Sequence, residues 1–99
     1  MKAIHKFRLR INDDSRVLMA KHYEALSVSL IGGELYLWAI VETNDPLEMV
    51  CFKIRGTGHP LREVGQYVGT ARDATAGLVW HVFESPAACA ALKELENAE

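Results

Sequence analysis

Alternating hydrophobic and polar residues divide most of the chain into short segments that predict β-strands. The first segment covers residues 3–11, with Phe7 and Leu9 on one face and Lys6 and Arg8 on the other. This period of two is typical of a strand that is buried on one side. The further predicted strands cover residues 16–19, 25–31, 34–43, 47–55, 66–72 and 78–84.

Turn-forming residues separate these segments. Gly32-Gly33 predicts a two-residue hairpin turn, because glycine at both central positions permits the positive φ angles of a type I′ turn. The segment that follows, 34–43, is apolar on both faces, which is typical of a central strand buried on two sides. Asparagine, aspartate and serine at 12–15 predict a turn that joins the first two strands as a hairpin.

The end of the chain has a different pattern. Ser85 before Pro86 is a helix-start signal, and residues 87–96 are rich in strong helix formers. The sequence therefore predicts a mainly β protein: a small antiparallel β-sandwich or partly open barrel of six to seven strands, with one C-terminal α-helix. We expect residues 1–84 to form the β-domain and residues 85–99 to form a helical extension, packed on it or on a neighbouring subunit.

Composition favours one small intracellular domain. The 99 residues carry a net charge of −2 and contain neither a secretory signal nor an apolar run long enough to cross a membrane. Cys51 and Cys89 lie in a predicted strand and in the predicted helix, so we expect two reduced, buried thiols. Reduced thiols favour the cytoplasm, in this case that of a host bacterium.

Several short motifs carry a resemblance to a known family. The chain is similar to a family of short bacteriophage and prophage proteins with a Gly-Thr-Gly-His-Pro loop. The resemblance covers residues 1–84 and implies a phage origin and a shared fold, but it assigns no catalytic residue. The matching motifs are Lys6-Phe7, Leu37-Trp38-Ala39-Ile40-Val41, Gly56-Thr57-Gly58-His59-Pro60, Tyr67-Val68-Gly69-Thr70 and Val79-Trp80-His81-Val82-Phe83-Glu84.

The Gly-Thr-Gly-His-Pro loop is the sharpest local feature. Glycine and proline mark turns, so a tight connection between strands is the simplest interpretation. Exposed backbone amides and flanking arginines also suit an anion, and this leaves a ligand or partner site open. The candidate residues are Arg55, Gly56, Thr57, Gly58, His59 and Arg62.

A basic stripe on the first strand is the second candidate. Lys6, Arg8 and Arg10 share one face and form a candidate contact surface. The other residue on that face, Ile4, is not aromatic, so we expect no stacking of bases and no nucleic-acid partner. Charged side chains also protect an edge strand from aggregation, and this is the interpretation that we favour.

Residues for metal binding or catalysis do not form a recognisable pattern. The four histidines, His5, His22, His59 and His81, are not spaced as zinc ligands, so we expect no metal and no cofactor. No nucleophile motif is present either, and we therefore expect no enzyme activity.

Charge and size point to binding rather than catalysis. Residues 1–22 hold six Lys or Arg and two Asp, a balance of +4, whereas residues 84–99 balance to −3. We expect a non-enzymatic phage accessory protein that binds a host protein such as a defence component, and that forms a homodimer. The alternatives are a small-molecule or nucleotide sequestering protein with an anion site at residues 56–60, and a small hydrolase-type enzyme.

Overall fold

A computed structural model describes residues 1–86 of the chain, which form seven β-strands in two antiparallel sheets. All seven predicted strands are confirmed, and each bound lies within two residues of its prediction. The helix predicted over residues 85–99 lies, with its residues 87–99, outside the described part. The strands are β1 (Lys2–Leu9), β2 (Asp14–Ala20), β3 (Tyr23–Ile31), β4 (Glu34–Glu42), β5 (Leu47–Gly56), β6 (Tyr67–Asp73) and β7 (Leu78–Glu84).

The two sheets form an open sandwich rather than a closed barrel. Sheet A has the strand order β1-β4-β3, and sheet B has the order β2-β5-β7-β6. The sheets come close where β3 passes β6, and a Cβ atom on Gly69 would lie 3.0 Å from Cγ2 of Val28. Within residues 1–86 no hydrogen-bonded strand pair joins the two sheets, so the antiparallel sandwich is the correct member of the predicted pair of architectures.

The predicted hairpin of the first two strands is wrong. Strand β1 pairs with β4 in sheet A, whereas β2 pairs with β5 in sheet B. Leu9 on β1 and Val17 and Met19 on β2 are all buried in the common core. Stacking the strands in opposite sheets buries these apolar faces against each other, which side-by-side pairing in one sheet does not do.

The predicted hairpin of β3 and β4 is confirmed. Gly32 and Gly33 have φ angles of 59° and 82°, as the type I′ turn requires. Strand β4 is the central strand of sheet A, and its inward-facing Leu35 and Leu37 are fully buried. Its outward-facing residues are only half-buried, so the prediction of burial on both faces is wrong for the outer face.

The core lies between the sheets and includes one contact that joins them through polar atoms. Phe52 on β5 is fully buried and meets the ring of Tyr23 on β3 edge to face at 6.1 Å. The Tyr23 hydroxyl donates a hydrogen bond to Glu84 on β7 at 2.9 Å. The buried core residues are Leu9, Val17, Met19, Ala20, Val28, Leu35, Leu37, Ala39, Val41, Phe52, Ile54, Ala71 and Val82.

The expectation of two reduced thiols is wrong for Cys51. This residue is buried on β5, and it is disulfide-bonded. The expectation relied on the position of Cys51 in its own predicted strand, and that position does not show what its sulfur contacts in the fold. Cys89 lies outside the described residues. No helix of residues 1–86 is long and apolar enough to cross a membrane.

Candidate functional site

The glycine-rich loop begins at the end of β5 as a tight β-turn. The His59 amide donates to the Gly56 carbonyl at 3.1 Å, and the Gly56 amide donates to Nδ1 of His59 at 3.2 Å. Gly58 has a φ of 92° at the third position of this turn, where a type II turn needs glycine. The turn therefore explains why Nδ1 of His59 is hydrogen-bonded and why glycine occupies position 58.

Arg55 holds the loop against its surroundings. Its Nη1 donates to the carbonyl oxygens of Asp13 at 2.9 Å and Ile54 at 3.1 Å, and its Nη2 donates to the carbonyl of Arg62 at 3.1 Å. The fold thus brings Arg55, the turn and the Arg62 carbonyl together, but a carbonyl oxygen is an acceptor and contributes nothing to an anion site. Arg55 and the Gly56 amide already donate their hydrogen bonds to acceptors within the protein, and an anion would need these same donors.

A chain of hydroxyl groups and one imidazole ties the loop to sheet B. The Thr57 hydroxyl lies 2.9 Å from Nε2 of His81, and Nδ1 of His81 lies 3.0 Å from the Thr70 hydroxyl. Thr70 in turn lies 2.5 Å from the Tyr67 hydroxyl. Both ring nitrogens of His81 therefore have a threonine hydroxyl as their hydrogen-bond partner, and a hydroxyl can donate or accept. These residues lie in separate segments of the sequence, and no motif in it links them.

The basic stripe lies on the outer face of sheet A, and β4 supplies it with aromatic neighbours. Lys6 is paired with Trp38 and Arg8 with Tyr36 across the β1–β4 ladder. The Lys6 Nζ atom lies 4.8 Å from the ring centroid of Tyr36 and 5.7 Å from that of Trp38. Both distances are within the range of cation–π contacts. Arg10 follows the end of β1 and lies outside this cluster.

Polar contacts hold the two aromatic side chains in place. The Trp38 indole N–H donates to the Ser29 hydroxyl on β3 at 3.2 Å. The Tyr36 hydroxyl donates to Glu34 at 2.9 Å, and this hydrogen bond raises the pKa of Tyr36 above its ordinary value. Glu34 also forms an ion pair with Arg8 at 3.1 Å.

We call the cluster of Ile4, Lys6, Arg8, Tyr36 and Trp38 the aromatic–basic face. The expectation of no aromatic side chain beside the basic stripe is wrong. Only the alternating positions of β1 supported that expectation, whereas Tyr36 and Trp38 come from the neighbouring strand. The alternation of residues 34–43 does place both aromatics on one face of β4, but only the β1–β4 pairing shows that this face is shared.

Candidate metal ligands do not cluster in the described part of the chain. Within residues 1–86 no three His, Cys, Asp or Glu side chains lie close enough to hold a metal ion together.

The fold and this surface define a small two-sheet β-sandwich with an open face of aromatic and charged side chains. The chain belongs to the family DUF7352, a domain of unknown function whose family model matches residues 1–91. No curated protein and no solved structure matches the chain.

Proposed function

We propose that this protein is a non-enzymatic accessory protein of bacteriophage type that binds a host protein through its aromatic–basic face. The observation that carries the proposal is the placement of Lys6 against Tyr36 and Trp38, with Arg8 beside them. The resemblance of residues 1–84 to phage and prophage proteins supports the origin. A component of host defence is the kind of target that we favour.

The residue types of this face suit a protein interface. Tryptophan, tyrosine and arginine are enriched among the residues that dominate binding energy. Trp38 and Tyr36 stand on the central strand of sheet A and are held by hydrogen bonds to Ser29 and Glu34, so little side-chain freedom remains to be lost on binding. Ile4 is 63% exposed and extends the apolar surface of the face.

The charges of the same surface favour a protein over a nucleic acid. Register places Lys2, Lys6 and Arg8 on the outer face of sheet A, and it places as many glutamates there. Arg8 is already paired with Glu34, and Lys6 covers part of the aromatic rings on which bases would stack. A phosphate backbone is contacted by many cations at once, whereas this face mixes three cations with three glutamates. The glutamates are Glu24, Glu34 and Glu42.

Replacement of Trp38 tests the proposal. The immobilised chain is used to capture a protein from host lysate; the captured protein is identified, purified and titrated against the wild type and Trp38→Ala by calorimetry. We expect Trp38→Ala to weaken binding at least about tenfold, because a central aromatic anchor contributes more than 1.4 kcal/mol. The matched control is Leu18→Ala, which removes an exposed apolar side chain from β2 in the other sheet and leaves binding unchanged.

Three outcomes contradict the proposal. The first is equal affinity of the Trp38→Ala variant and the wild type for the purified partner. The second is salt-dependent binding of a single-stranded oligonucleotide that Trp38→Ala abolishes, which makes a nucleic acid the ligand. The third concerns the predicted homodimer: a dimer by light scattering that Trp38→Ala converts to monomer makes a second copy the occupant of this face.

The remaining expectations have different support. The cytoplasmic location stays a prediction, and the disulfide at Cys51 weighs against it because cytosolic disulfides are rare. The anion site at residues 56–60 stays an alternative, weakened by the internal hydrogen bonds of Arg55 and Gly56. No observation favours the small enzyme.

A further inference from the structure

Strand β1 has one free edge. It is the outer strand of sheet A, and among the described residues only β4 is hydrogen-bonded to it. The Thr43 amide donates to the Met1 carbonyl on the β4 side, whereas the Arg10 amide donates to Ser15 on the opposite side. Because backbone groups alternate in direction along an antiparallel strand, the even-numbered residues direct theirs to the free edge. These residues are Lys2, Ile4, Lys6 and Arg8.

The free edge is open to an incoming strand. Ile4 is 63% exposed, and its neighbours Lys2, His5 and Lys6 are also exposed. Between Lys2 and Leu9 the strand contains neither a proline nor a register shift against β4. Bulges and prolines are devices that block the edges of sheets, and β1 carries neither. Among residues 1–86, the protection that this edge has is charge.

The same charge disfavours antiparallel pairing with β1 of a second copy. Antiparallel pairing of two β1 strands sets even residues of one copy opposite even residues of the other. Each register that joins three or more of these positions places two cations face to face: Lys2 against Lys6, Lys2 against Arg8, or Lys6 against Lys6. Like charges directly opposite each other destabilise a strand pair. The edge row of β1 carries only cations and Ile4, because the glutamates of the outer face lie on β3 and β4, so the edge favours a strand of opposite charge.

We propose that the free edge of β1 accepts an extended acidic segment of the partner protein as an added antiparallel strand. Main-chain hydrogen bonds to the even residues supply affinity, and alternate side chains supply specificity. Acidic residues lie opposite Lys2, Lys6 and Arg8, and an apolar residue lies opposite Ile4. This inference rests on the proposed function and names the chemistry of its partner.

A designed peptide tests the edge without the natural partner. A seven-residue peptide carries Glu at the positions opposite Arg8, Lys6 and Lys2, Val opposite Ile4, and Thr between them. We expect fluorescence anisotropy to show binding, and hydrogen exchange to slow at least about tenfold at the amides of Ile4, Lys6 and Arg8. Peptides with Lys for Glu, or with N-methyl groups on the edge-facing amides, are expected not to bind.

Substitution at Ile4 tests the backbone contribution in the protein. Ile4→Pro removes an amide that faces the free edge and keeps the ladder to β4, since proline is tolerated on an edge strand when its nitrogen faces outward. We expect Ile4→Pro to lower the affinity for the peptide at least about tenfold. The matched control Ile4→Ala removes the side chain and retains the amide, so it lowers this affinity less. Thermal unfolding shows whether Ile4→Pro folds. If it does not fold, the N-methylated peptide still tests the main-chain hydrogen bonds on the wild-type protein.

Failure of this inference is separable from failure of the proposed function. Undiminished binding of the N-methylated peptide, or no binding of the Glu peptide at millimolar concentration, overturns the added strand. Capture of the natural partner that falls with Trp38→Ala but not with Ile4→Pro also overturns it and leaves the proposed function standing. Capture of the partner that is insensitive to Trp38→Ala overturns the proposed function. The peptide result still tests whether the free edge of β1 accepts an added strand.

Discussion

At the residue scale, single hydrogen bonds decide what this chain tolerates. Ser15 is 2% exposed, and its hydroxyl accepts a hydrogen bond from the Arg10 amide at 2.9 Å where the chain passes from sheet A to sheet B. The sequence indicates a turn over residues 12–15, but Ser15 is already the second residue of β2. Ser15 shares the buried face of β2 with Val17 and Met19, but its hydrogen bond to Arg10 is not visible in that alternation.

Ser15→Ala is expected to destabilise the protein by about 1–2 kcal/mol, because the Arg10 amide loses its partner in a part-buried position. Urea unfolding measures the change in the free energy of unfolding. The control is Ser27→Ala on β3, where an exposed serine is replaced and the change stays within about 0.5 kcal/mol. Equal effects of the two substitutions would show that the Ser15 hydrogen bond contributes nothing.

At the scale of elements, the glycine-rich loop acts as a connection first. Glycine and proline indicate a turn in the sequence, and the turn is confirmed between Gly56 and His59. The partners of Arg55 could not be predicted, because the Asp13 and Arg62 carbonyls come from two separate connections. His81 likewise meets Thr57 and Thr70 only because β7 lies between β5 and β6.

Gly58→Ala is expected to destabilise the protein by about 1–2 kcal/mol, since a φ of 92° is strained for any residue with a side chain. The measurement is urea unfolding, with Leu61→Ala as a control at an exposed position of the following segment. Partner binding should remain unchanged at temperatures where the variant is fully folded. A rise in melting temperature with phosphate or a nucleotide, lost in Gly58→Ala, would instead support the anion site.

At the scale of the whole molecule, Tyr23 links the two sheets and makes their association depend on pH. Burial, together with the hydrogen bond and the charge of Glu84, raises the pKa of Tyr23 well above its ordinary value. The unfolded tyrosine ionises near pH 10, but the folded one stays protonated. This contribution to stability is therefore complete below about pH 10 and is lost progressively as the pH rises above it.

Tyr23→Phe is expected to lower the free energy of unfolding at neutral pH by about 1–2 kcal/mol, because the hydrogen bond to Glu84 is removed. Above pH 10 the variant should lose stability less steeply than the wild type. Urea unfolding at a series of pH values between 8 and 11 gives both curves. Parallel curves over this range would contradict the assigned cause.

The sequence by itself determined the seven strands, the Gly32-Gly33 hairpin and the turn at Gly56, because alternation and turn chemistry are local properties. It also separated the two faces of β1, which is why Lys6 and Arg8 were recognised as a stripe, but it placed Leu26 on the buried face of β3, where a bulge between Ala25 and Ser27 leaves it exposed. Only the tertiary structure decided which strands pair. In the structure β1 pairs with β4 rather than with β2. This pairing places Tyr36 and Trp38 beside the stripe and leaves the other edge of β1 without a partner strand among the described residues. Pairing depends on how two apolar faces bury each other across the core, and that information is spread over the whole chain.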